Sequence, residues 1–300
     1  MASLKELKSR ISSVKNTQKI TKAKQMVAAA KLRRAQEAAE NSRPYADRIG
    51  AVISNLAASM SGEGSAPKML VGNGKSDVVL LVVATADRGL CGGFNSNIIR
   101  KAREEITALE ASGKTVKLFL IGKKGHDQLN RLYRDNIVEY ISLKEERSIH
   151  AGIARGIGEK VTSMFDAGEF DICKLIYAEF GNIMTQTAVA HTIIPANAAV
   201  DVVVTEDMSV GLDLKGAIYS YEPDEAGILG VLLPRNINSQ IYSALLENMA
   251  GEQAASMTAM DNATRNAGEL IDKLTLTFNR ARQAKITSEL IEIISGAEAL

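Results

Sequence analysis

A glycine-rich loop with an arginine and a cysteine holds the residues best suited to chemistry in this sequence. It runs from Asp87 to Asn95 and places Arg88 three residues before Cys91. The loop follows an apolar run and opens a helical stretch, which is where α/β proteins bind ligands. A guanidinium lowers the pKa of a nearby thiol, but a cysteine nucleophile also needs a base. The three histidines lie in unrelated segments, so the sequence predicts no catalytic residue.

Other ligand motifs are incomplete. The tripeptide Gly74-Lys75-Ser76 suggests a phosphate loop, but Met69 stands where the motif needs glycine, and the tripeptide precedes a strand instead of following one. The loop after residue 86 lacks the G-x-G-x-x-G spacing of dinucleotide sites. Two separated cysteines and three scattered histidines show no metal-ligand spacing. We therefore expect neither a cofactor nor a metal.

Composition limits the kinds of protein this can be. The chain has 300 residues, 46% apolar, and a net charge of +1, which argues against intrinsic disorder. Its apolar stretches are far shorter than the roughly 18 residues a membrane span needs, so we expect no direct membrane insertion. Two cysteines are too few for a disulfide framework, which fits a reducing compartment. Aromatic residues are scarce, at 4%.

The charge is divided between segments. Residues 1–36 hold ten Lys or Arg and one acid, whereas residues 201–230 hold seven acids and one Lys. This asymmetry predicts an electrostatic partner: nucleic acid, a membrane surface or an acidic protein surface. The basic segment lacks interleaved aromatics and any known DNA or RNA motif, so a nucleic-acid partner is not our first expectation.

Two long helices are expected at the chain ends. Residues 1–60 are rich in helix formers, with Ser3 and Glu6 spaced as a capping box. Their apolar stripe begins with coiled-coil spacing and then moves to smaller side chains: Leu4, Leu7, Ile11, Val14, Ile20, Ala23, Val27, Ala30. A second helix is predicted over 237–295, with this stripe: Met257, Met260, Ala263, Ala267, Leu270, Leu274, Phe278, Ala281. Two such stripes favour an antiparallel coiled coil, whose narrow seam also explains the few aromatics.

The central region alternates apolar strand runs with helical runs. Strands are predicted at 78–84, 116–121, 137–142 and 172–178, and helices at 95–109, 123–133 and 149–165. This alternation predicts a parallel, Rossmann-like α/β sheet. We expect three parts: the N-terminal helix over 1–60, an α/β foot over 61–210, and an acidic connection with the C-terminal helix over 211–300.

Several motifs together resemble one family. The segments NTQKITK at 16–22, MVAAAK at 26–31, DRGLCGG at 87–93, MDNAT at 260–264 and NRARQAKITSE at 279–289 are similar to those of the gamma subunits of F-type ATP synthases. The resemblance covers the chain from end to end. It implies a central stalk without catalytic residues, in which a coiled coil turns inside a ring of three alpha and three beta subunits. The α/β foot would sit on the membrane c-ring beside the epsilon subunit.

The resemblance also implies contact residues. Those facing beta-subunit loops would be Lys15, Lys19, Lys22, Lys24, Arg88, Cys91, Arg282, Gln283, Thr287 and Glu289. Those near the rotor ring or epsilon would be Tyr219, Tyr221 and Glu222. The family commonly has Met where this chain has Lys24, so an added ion pair there would affect coupling efficiency. The family's chloroplast redox insert is absent, which implies no thiol switch.

The resemblance implies ATP synthesis or hydrolysis coupled to proton flow, with the gamma subunit transmitting torque and regulating ATPase activity. The expected location is peripheral, on the cytoplasmic face of the bacterial inner membrane, with the mitochondrial matrix face as the alternative. Two other interpretations remain open from the residues themselves. One is a Rossmann-like enzyme with helical arms that uses the Asp87–Asn95 loop, and the other is a helical nucleic-acid binder.

Overall fold

The chain begins and ends with a long helix. A computed structural model describes residues 3–59, 66–146, 148–196 and 225–298. Helix α1 spans Leu4–Ser59, and Ser3 Oγ accepts a hydrogen bond from Glu6 N at 3.2 Å, as the capping box predicts. The final helix, α6, spans Glu225–Glu298. The expected start at residue 237 is therefore wrong, because the helix continues through Pro234.

Shorter elements lie between these helices: α2 Lys68–Val71, β1 Val78–Ala84, α3 Phe94–Ala111, β2 Thr115–Ile121, α4 Lys123–Leu129, a 3₁₀ turn Arg134–Asn136, β3 Ile137–Ile141, α5 Ala151–Asp166, β4 Ile172–Phe180 and β5 Gln186–Ile194. The four predicted strands and the helices between them are confirmed, with ends that differ by a few residues. Strand β5 was missed because polar residues interrupt its apolar pattern.

The strands form one mixed sheet in the order β3-β2-β1-β4-β5. Strands β3, β2, β1 and β4 are parallel to one another, and β5 is antiparallel to β4. The chain adds strands outward from β1 to β3 and then returns to the other side of β1 with β4. This reversal makes a topological switch point between β1 and β4. The predicted Rossmann-like fold class is confirmed, with an antiparallel strand added at one edge.

Both faces of the sheet are buried, which explains why β1 is apolar along its whole length. Val79, Leu81 and Val83 pack in a cluster with α3. The alternate residues of β1 pack on the opposite face with α5 and with Ile237 and Ile241 of α6. Helix α6 therefore supplies part of the core beneath the sheet.

A buried carboxylate fixes the entry to β1. Asp171 accepts hydrogen bonds from Asn73 Nδ2 at 2.6 Å and from the backbone N–H groups of Asp77 and Val78 at 2.9 Å each. Burial alone would raise the pKa of Asp171, but these hydrogen bonds hold its pKa below the usual value. The Gly74-Lys75-Ser76 tripeptide is part of this turn into β1, as expected.

Contacts divide the chain into two compact units. We call Met1–Ala30 with Ser256–Leu300 the terminal unit, and Lys31–Ala255 the sheet unit. In the terminal unit the two helices run antiparallel, since Gln18 contacts Thr264 while Gln25 contacts Asp261. This confirms the predicted coiled coil.

Two details of the predicted stripes are wrong. Ile20 and Val27 are 58% and 56% exposed, so the seam of α1 does not move to them. Leu270 of α6 is 46% exposed, and its neighbour Ile271 takes the seam position instead. The three-part domain division drawn from the sequence stays a prediction.

Candidate interaction surfaces

A carboxylate closes the loop that the sequence singles out. Asp87 accepts hydrogen bonds from Lys123 N, Leu143 N and Ser142 Oγ, each at 2.9 Å. These partners begin α4 or follow β3, so one side chain joins the carboxyl ends of three neighbouring strands. The free N–H groups at a helix N-terminus favour an anion. Here the chain's own carboxylate occupies that position at α4.

A close backbone crossing lies beside this carboxylate. Thr85 N donates to Ile121 O at 2.8 Å, and Thr85 Oγ1 accepts from Gly125 N at 2.8 Å. Gly122 has a φ of +88°, and a Cβ there would overlap the backbone carbonyl of Thr85. Only glycine therefore lets β1 and β2 end this close together.

The cysteine of the loop is not activated. Cys91 is 2% exposed and packs in the core cluster of α3. Burial raises the pKa of the Cys91 thiol, and the negative charge of Glu252 adds to that rise. Asn95 Nδ2 donates to Cys91 Sγ at 3.2 Å, while Asn95 Oδ1 accepts from Ala86 N at 2.9 Å. The hydrogen bonds hold the loop in shape, and the thiol remains protonated.

Helix α6 fills the switch-point crevice. A Cβ on Gly251 would lie 2.9 Å from Phe94 Cε2 and 3.4 Å from Gln186 Cγ, so the helix passes directly over the start of α3 and β5. Strand β4 extends beyond its last pairing with β1, at Ile176. Asn248 Oδ1 and Glu247 Oε2 accept hydrogen bonds from Ala178 N and Phe180 N, at 3.2 Å each. The helix thus occupies the place where related folds hold a ligand.

Glu252 carries a perturbed carboxyl group next to this crossing. Burial raises the pKa of Glu252 to about 6, while the charges of Lys31 and Arg88 oppose the rise and Asp87 adds to it. Sequence reasoning missed Glu252, because it belongs to no ligand motif. Arg88 is exposed on the loop, so it is available to a partner, whereas the predicted contact residue Cys91 lies beneath the surface.

The four predicted contact lysines of α1 are all exposed, but they do not share one side of the helix. Lys15, Lys19 and Lys22 follow spacings of four and three and lie on one flank of the seam. Lys24 comes two residues after Lys22 and lies on the opposite flank. The first flank also borders a shallow groove of about 480 Å³, lined by Gln18, Lys19, Lys22, Ala23, Met26 and Thr264.

The other predicted contact residues lie where α6 has left its seam. Ala281 is the last half-buried residue, and the described side chains after it are exposed. This exposed end of α6 holds Arg282, Gln283, Thr287 and Glu289. Its exposed apolar residues are Ile286, Leu290, Ile291, Ile293 and Ile294. The predicted ring-contact residues Tyr219, Tyr221 and Glu222 lie outside the described residues.

The described residues offer neither a cluster of metal ligands nor a helix suited to a membrane span. No group of three or more His, Cys, Asp or Glu side chains among them is placed to hold a metal ion. None of the helices in the described ranges is both long and apolar enough to cross a bilayer.

The chain is similar to proteins of one family along its whole length. A family profile described as ATP synthase matches residues 3–300. An ATP synthase gamma chain from Maricaulis maris is 61% identical over 300 residues, covering all of both chains. A second, from Rhizobium rhizogenes, is 58% identical with the same coverage.

Solved structures agree with these relatives. A chain from the central stalk and c-ring of the Tetrahymena thermophila mitochondrial ATP synthase superposes with a TM-score of 0.62 at 27% identity. The match covers 81% of this chain and 99% of that one. A Euglena gracilis mitochondrial ATP synthase chain, at 19% identity and a TM-score of 0.67, shares the fold.

Proposed function

This chain belongs to the ATP synthase gamma-chain family and is a central-stalk subunit of an F-type ATP synthase, and we propose that it works as the torque-transmitting rotor. The observation that carries the proposal is the terminal unit. Both chain ends meet there in an antiparallel helix pair, and α6 continues past its seam as an exposed end with apolar and charged faces. Such an end suits a surface that turns against other subunits.

The proposed partners are three alpha and three beta subunits, an epsilon subunit and the membrane c-ring. Relatives solved as a central stalk with a c-ring support this set. Beta-subunit loops would meet Arg88 and the exposed end of α6. Tyr219, Tyr221 and Glu222 would face the ring or epsilon.

The lysines of α1 give the beta-subunit contact two sides. A shaft sets three sites to different affinities only if it contacts each differently. The flank of Lys15, Lys19 and Lys22 offers three positive charges beside an apolar groove, whereas Lys24 offers one charge on the other flank. An acidic beta-subunit loop would therefore meet a strong attraction on one flank and a weaker one on the other.

We propose that the subunit itself is non-catalytic, because its cysteine is held protonated and α6 fills the crevice at the switch point. The subunit would regulate ATP hydrolysis and proton flow by its rotary position. The complex it belongs to associates with a membrane, and we propose the cytoplasmic face of a bacterial inner membrane as the side. The similarity to the gamma chains of Maricaulis maris and Rhizobium rhizogenes supports that side.

The first experiment is co-purification of the full chain with alpha and beta subunits. We expect one copy to associate with three of each, and we expect the purified chain alone to hydrolyse no ATP. A chain that hydrolyses ATP unaided, or that does not join the complex, contradicts the proposal. Binding of the chain alone to DNA would instead favour the nucleic-acid interpretation.

The second experiment reverses charge on each flank separately, in the reconstituted complex. We expect K15E/K19E/K22E to reduce ATP-driven proton pumping more than K24E does, because it reverses three charges against one. The difference should shrink as salt rises from 0.01 M to 1 M, since the Debye length falls from about 30 Å to about 3 Å.

The matched control is R131E/R134E/R155E, which reverses three exposed charges on the sheet unit at positions that are not among the proposed contact residues. It should leave pumping near the parent level. Equal pumping by both flank variants at all salt concentrations would contradict the electrostatic part of the proposal.

A further inference from the structure

The seam of α1 continues without interruption through three polar residues. Its buried and half-buried positions follow a strict four-three spacing: Leu7, Ile11, Val14, Gln18, Thr21, Gln25, Ala28. Ile20 and Val27, which are the larger apolar residues nearby, face solvent. The helix therefore keeps its heptad phase by placing Gln18, Thr21 and Gln25 where a coiled coil normally has apolar side chains.

Helix α6 has one matching polar position. Its seam also follows a four-three spacing: Met260, Thr264, Ala267, Ile271, Leu274, Phe278, Ala281. Thr264 alone of these is polar, and it lies opposite the polar run of α1.

Direct contacts join the two sets across the seam. Thr21 Oγ1 and Thr264 Oγ1 are 2.7 Å apart. Gln25 Nε2 donates to Asp261 Oδ1 at 2.8 Å, and Gln18 Nε2 donates to the backbone oxygen of Thr264 at 3.4 Å. We call these five residues, Gln18, Thr21, Gln25, Asp261 and Thr264, the polar layer.

Glycine makes room for one member of this layer. A Cβ on Gly268 would lie 3.2 Å from Gln18 Nε2, a closer approach than ordinary van der Waals contact. The absence of a side chain at 268 thus lets the amide of Gln18 reach across to α6. A glycine inside a helix normally lowers helix stability, but Gly268 has a packing function here.

The two hydroxyls depend on each other. Thr21 Oγ1 also lies 3.0 Å from Gln18 O, and Thr264 Oγ1 lies 2.7 Å from Met260 O. Each hydroxyl has one proton to donate, so the two protons serve three oxygen contacts. One threonine donates to its own helix while the other donates across the seam, so the hydrogen bond between the two helices exists only while the threonines face each other.

We propose that the polar layer fixes the axial register of the antiparallel helix pair, with Thr21 and Thr264 as its positioning residues. A single polar position in a coiled-coil seam specifies register at some cost in stability. The inference rests on the proposed rotor function, because a fixed register holds the lysines of α1 at a constant axial distance from the contact residues of α6.

A one-heptad slip shows how the layer discriminates. In the observed register Thr21 faces Thr264. A slip in one direction would place Thr21 opposite Ile271, and a slip in the other would place it opposite Met257. Both alternatives leave a half-buried hydroxyl against an apolar side chain, which is unfavourable. The apolar seam residues alone do not distinguish these registers well, because apolar side chains accept one another.

The register also affects how rotation is coupled to the affinity of the catalytic sites. Helices that slip past each other by a heptad move about 10 Å, at about 1.5 Å per residue. Such a shift would change which charges of α1 accompany the exposed end of α6 at each rotary position. A rotor with mixed registers would then have mixed coupling between rotation and affinity.

The test measures register by disulfide formation in the purified full chain. The observed register places Val14 opposite Ile271, so V14C/I271C should cross-link in the parent chain. V14C/F278C and L7C/I271C report the two slipped registers. The chain's own cysteines, Cys91 and Cys173, are buried and do not compete.

We expect T21V/T264V, which replaces both hydroxyls with methyl groups of the same shape, to raise slipped cross-links roughly tenfold, equivalent to about 1.4 kcal/mol of lost register preference. Adding Q18L/Q25L should raise them further. The conservative variant T21S/T264S keeps both hydroxyls and should restore the single register. L274A, which weakens the seam outside the layer, should destabilise the pair without adding slipped cross-links.

The number of protons pumped per ATP distinguishes a failure of the register proposal from a failure of the rotor function. In the assembled complex, T21V/T264V should retain ATP hydrolysis while pumping fewer protons per ATP, and T21S/T264S should recover the ratio. Cross-links confined to V14C/I271C in the valine variants would overturn the register proposal. Slipped cross-links in a chain that never joins the alpha and beta subunits would support the register proposal and overturn the rotor function.

Discussion

Single side chains hold the loop after β1 without preparing it for catalysis. Asp87 binds two backbone N–H groups and a hydroxyl, and Asn95 binds the loop from inside. The thiol of Cys91 stays neutral because burial raises its pKa. The loop's composition suggested a ligand site, but its polar groups are used by the chain itself. What the loop offers to a partner is the charge of Arg88.

Glu252 predicts a pH dependence of stability. Burial raises its folded-state pKa to about 6, above the ordinary value of 4.5, so the folded chain binds this proton more tightly than the unfolded chain does. The stability contribution is therefore present below about pH 4.5 and is lost as pH rises through about 6. We expect E252Q to raise the free energy of unfolding at pH 7.5 by roughly 1 to 2 kcal/mol.

Urea unfolding followed by circular dichroism at pH 5 and pH 7.5 measures this effect, since the chain has no Trp for fluorescence. E159Q changes an exposed carboxylate on α5 and serves as the control. Destabilisation by E252Q at pH 7.5 would show that attraction to Lys31 and Arg88 outweighs burial.

Helices and strands whose apolar residues recur with a simple period could be predicted from the sequence. Segments in which polar residues occupy the buried positions could not. Strand β1 is apolar throughout, so its sequence alone indicates a buried central strand. Gln18, Thr21 and Gln25 hide a heptad that Leu7, Ile11 and Val14 had already set. Extending that phase, without requiring apolar residues, would have located the seam. Strand β5 and the helix before Pro234 were missed for the same reason: local residue type masked a pattern set by tertiary packing.

Replacing Gly122, at the junction of β1, β2 and α4, should strongly lower the stability of the fold. G122A adds a methyl group into the carbonyl of Thr85 and also strains a positive φ, so we expect a loss of about 3 kcal/mol or more in the free energy of unfolding. G113A is the matched control, because Gly113 has a φ of +77° with open space around it. Its loss should be only about 1 to 2 kcal/mol. Equal losses in urea unfolding would mean that the close crossing contributes nothing.

At the scale of the whole molecule, the two units differ in how the sequence builds them. The sheet unit is one continuous stretch, Lys31–Ala255, whereas the terminal unit joins the two ends of the chain. Contacts between distant segments carry a larger loop-closure cost than local contacts. All residues of the sheet unit are therefore present in the growing chain before the residues of the terminal unit are complete. The sequence indicated both helices, but only the structure shows where the contacts divide.

Truncation tests this division. A chain ending at residue 255 removes one half of the terminal unit, so amides of residues 4–30 should lose protection from hydrogen exchange while β1 and β2 keep theirs. A chain ending at residue 281 is the control, since it retains the seam of α6 and the described side chains that it removes are exposed. Loss of protection in β1 after truncation at 255 would contradict the independence of the sheet unit.

The side chains that cover the end of β4 have a consequence during synthesis. Until Asn248 and Glu247 leave the ribosome, the N–H groups of Ala178 and Phe180 have no α6 acceptors, and an open strand edge is a template for pairing with other chains. The nascent sheet is thus vulnerable to association for about 70 residues of elongation, which takes about 4 to 14 seconds at 5 to 20 residues per second. The arrival of helix α6 ends this interval, because its side chains then bind the exposed N–H groups of β4.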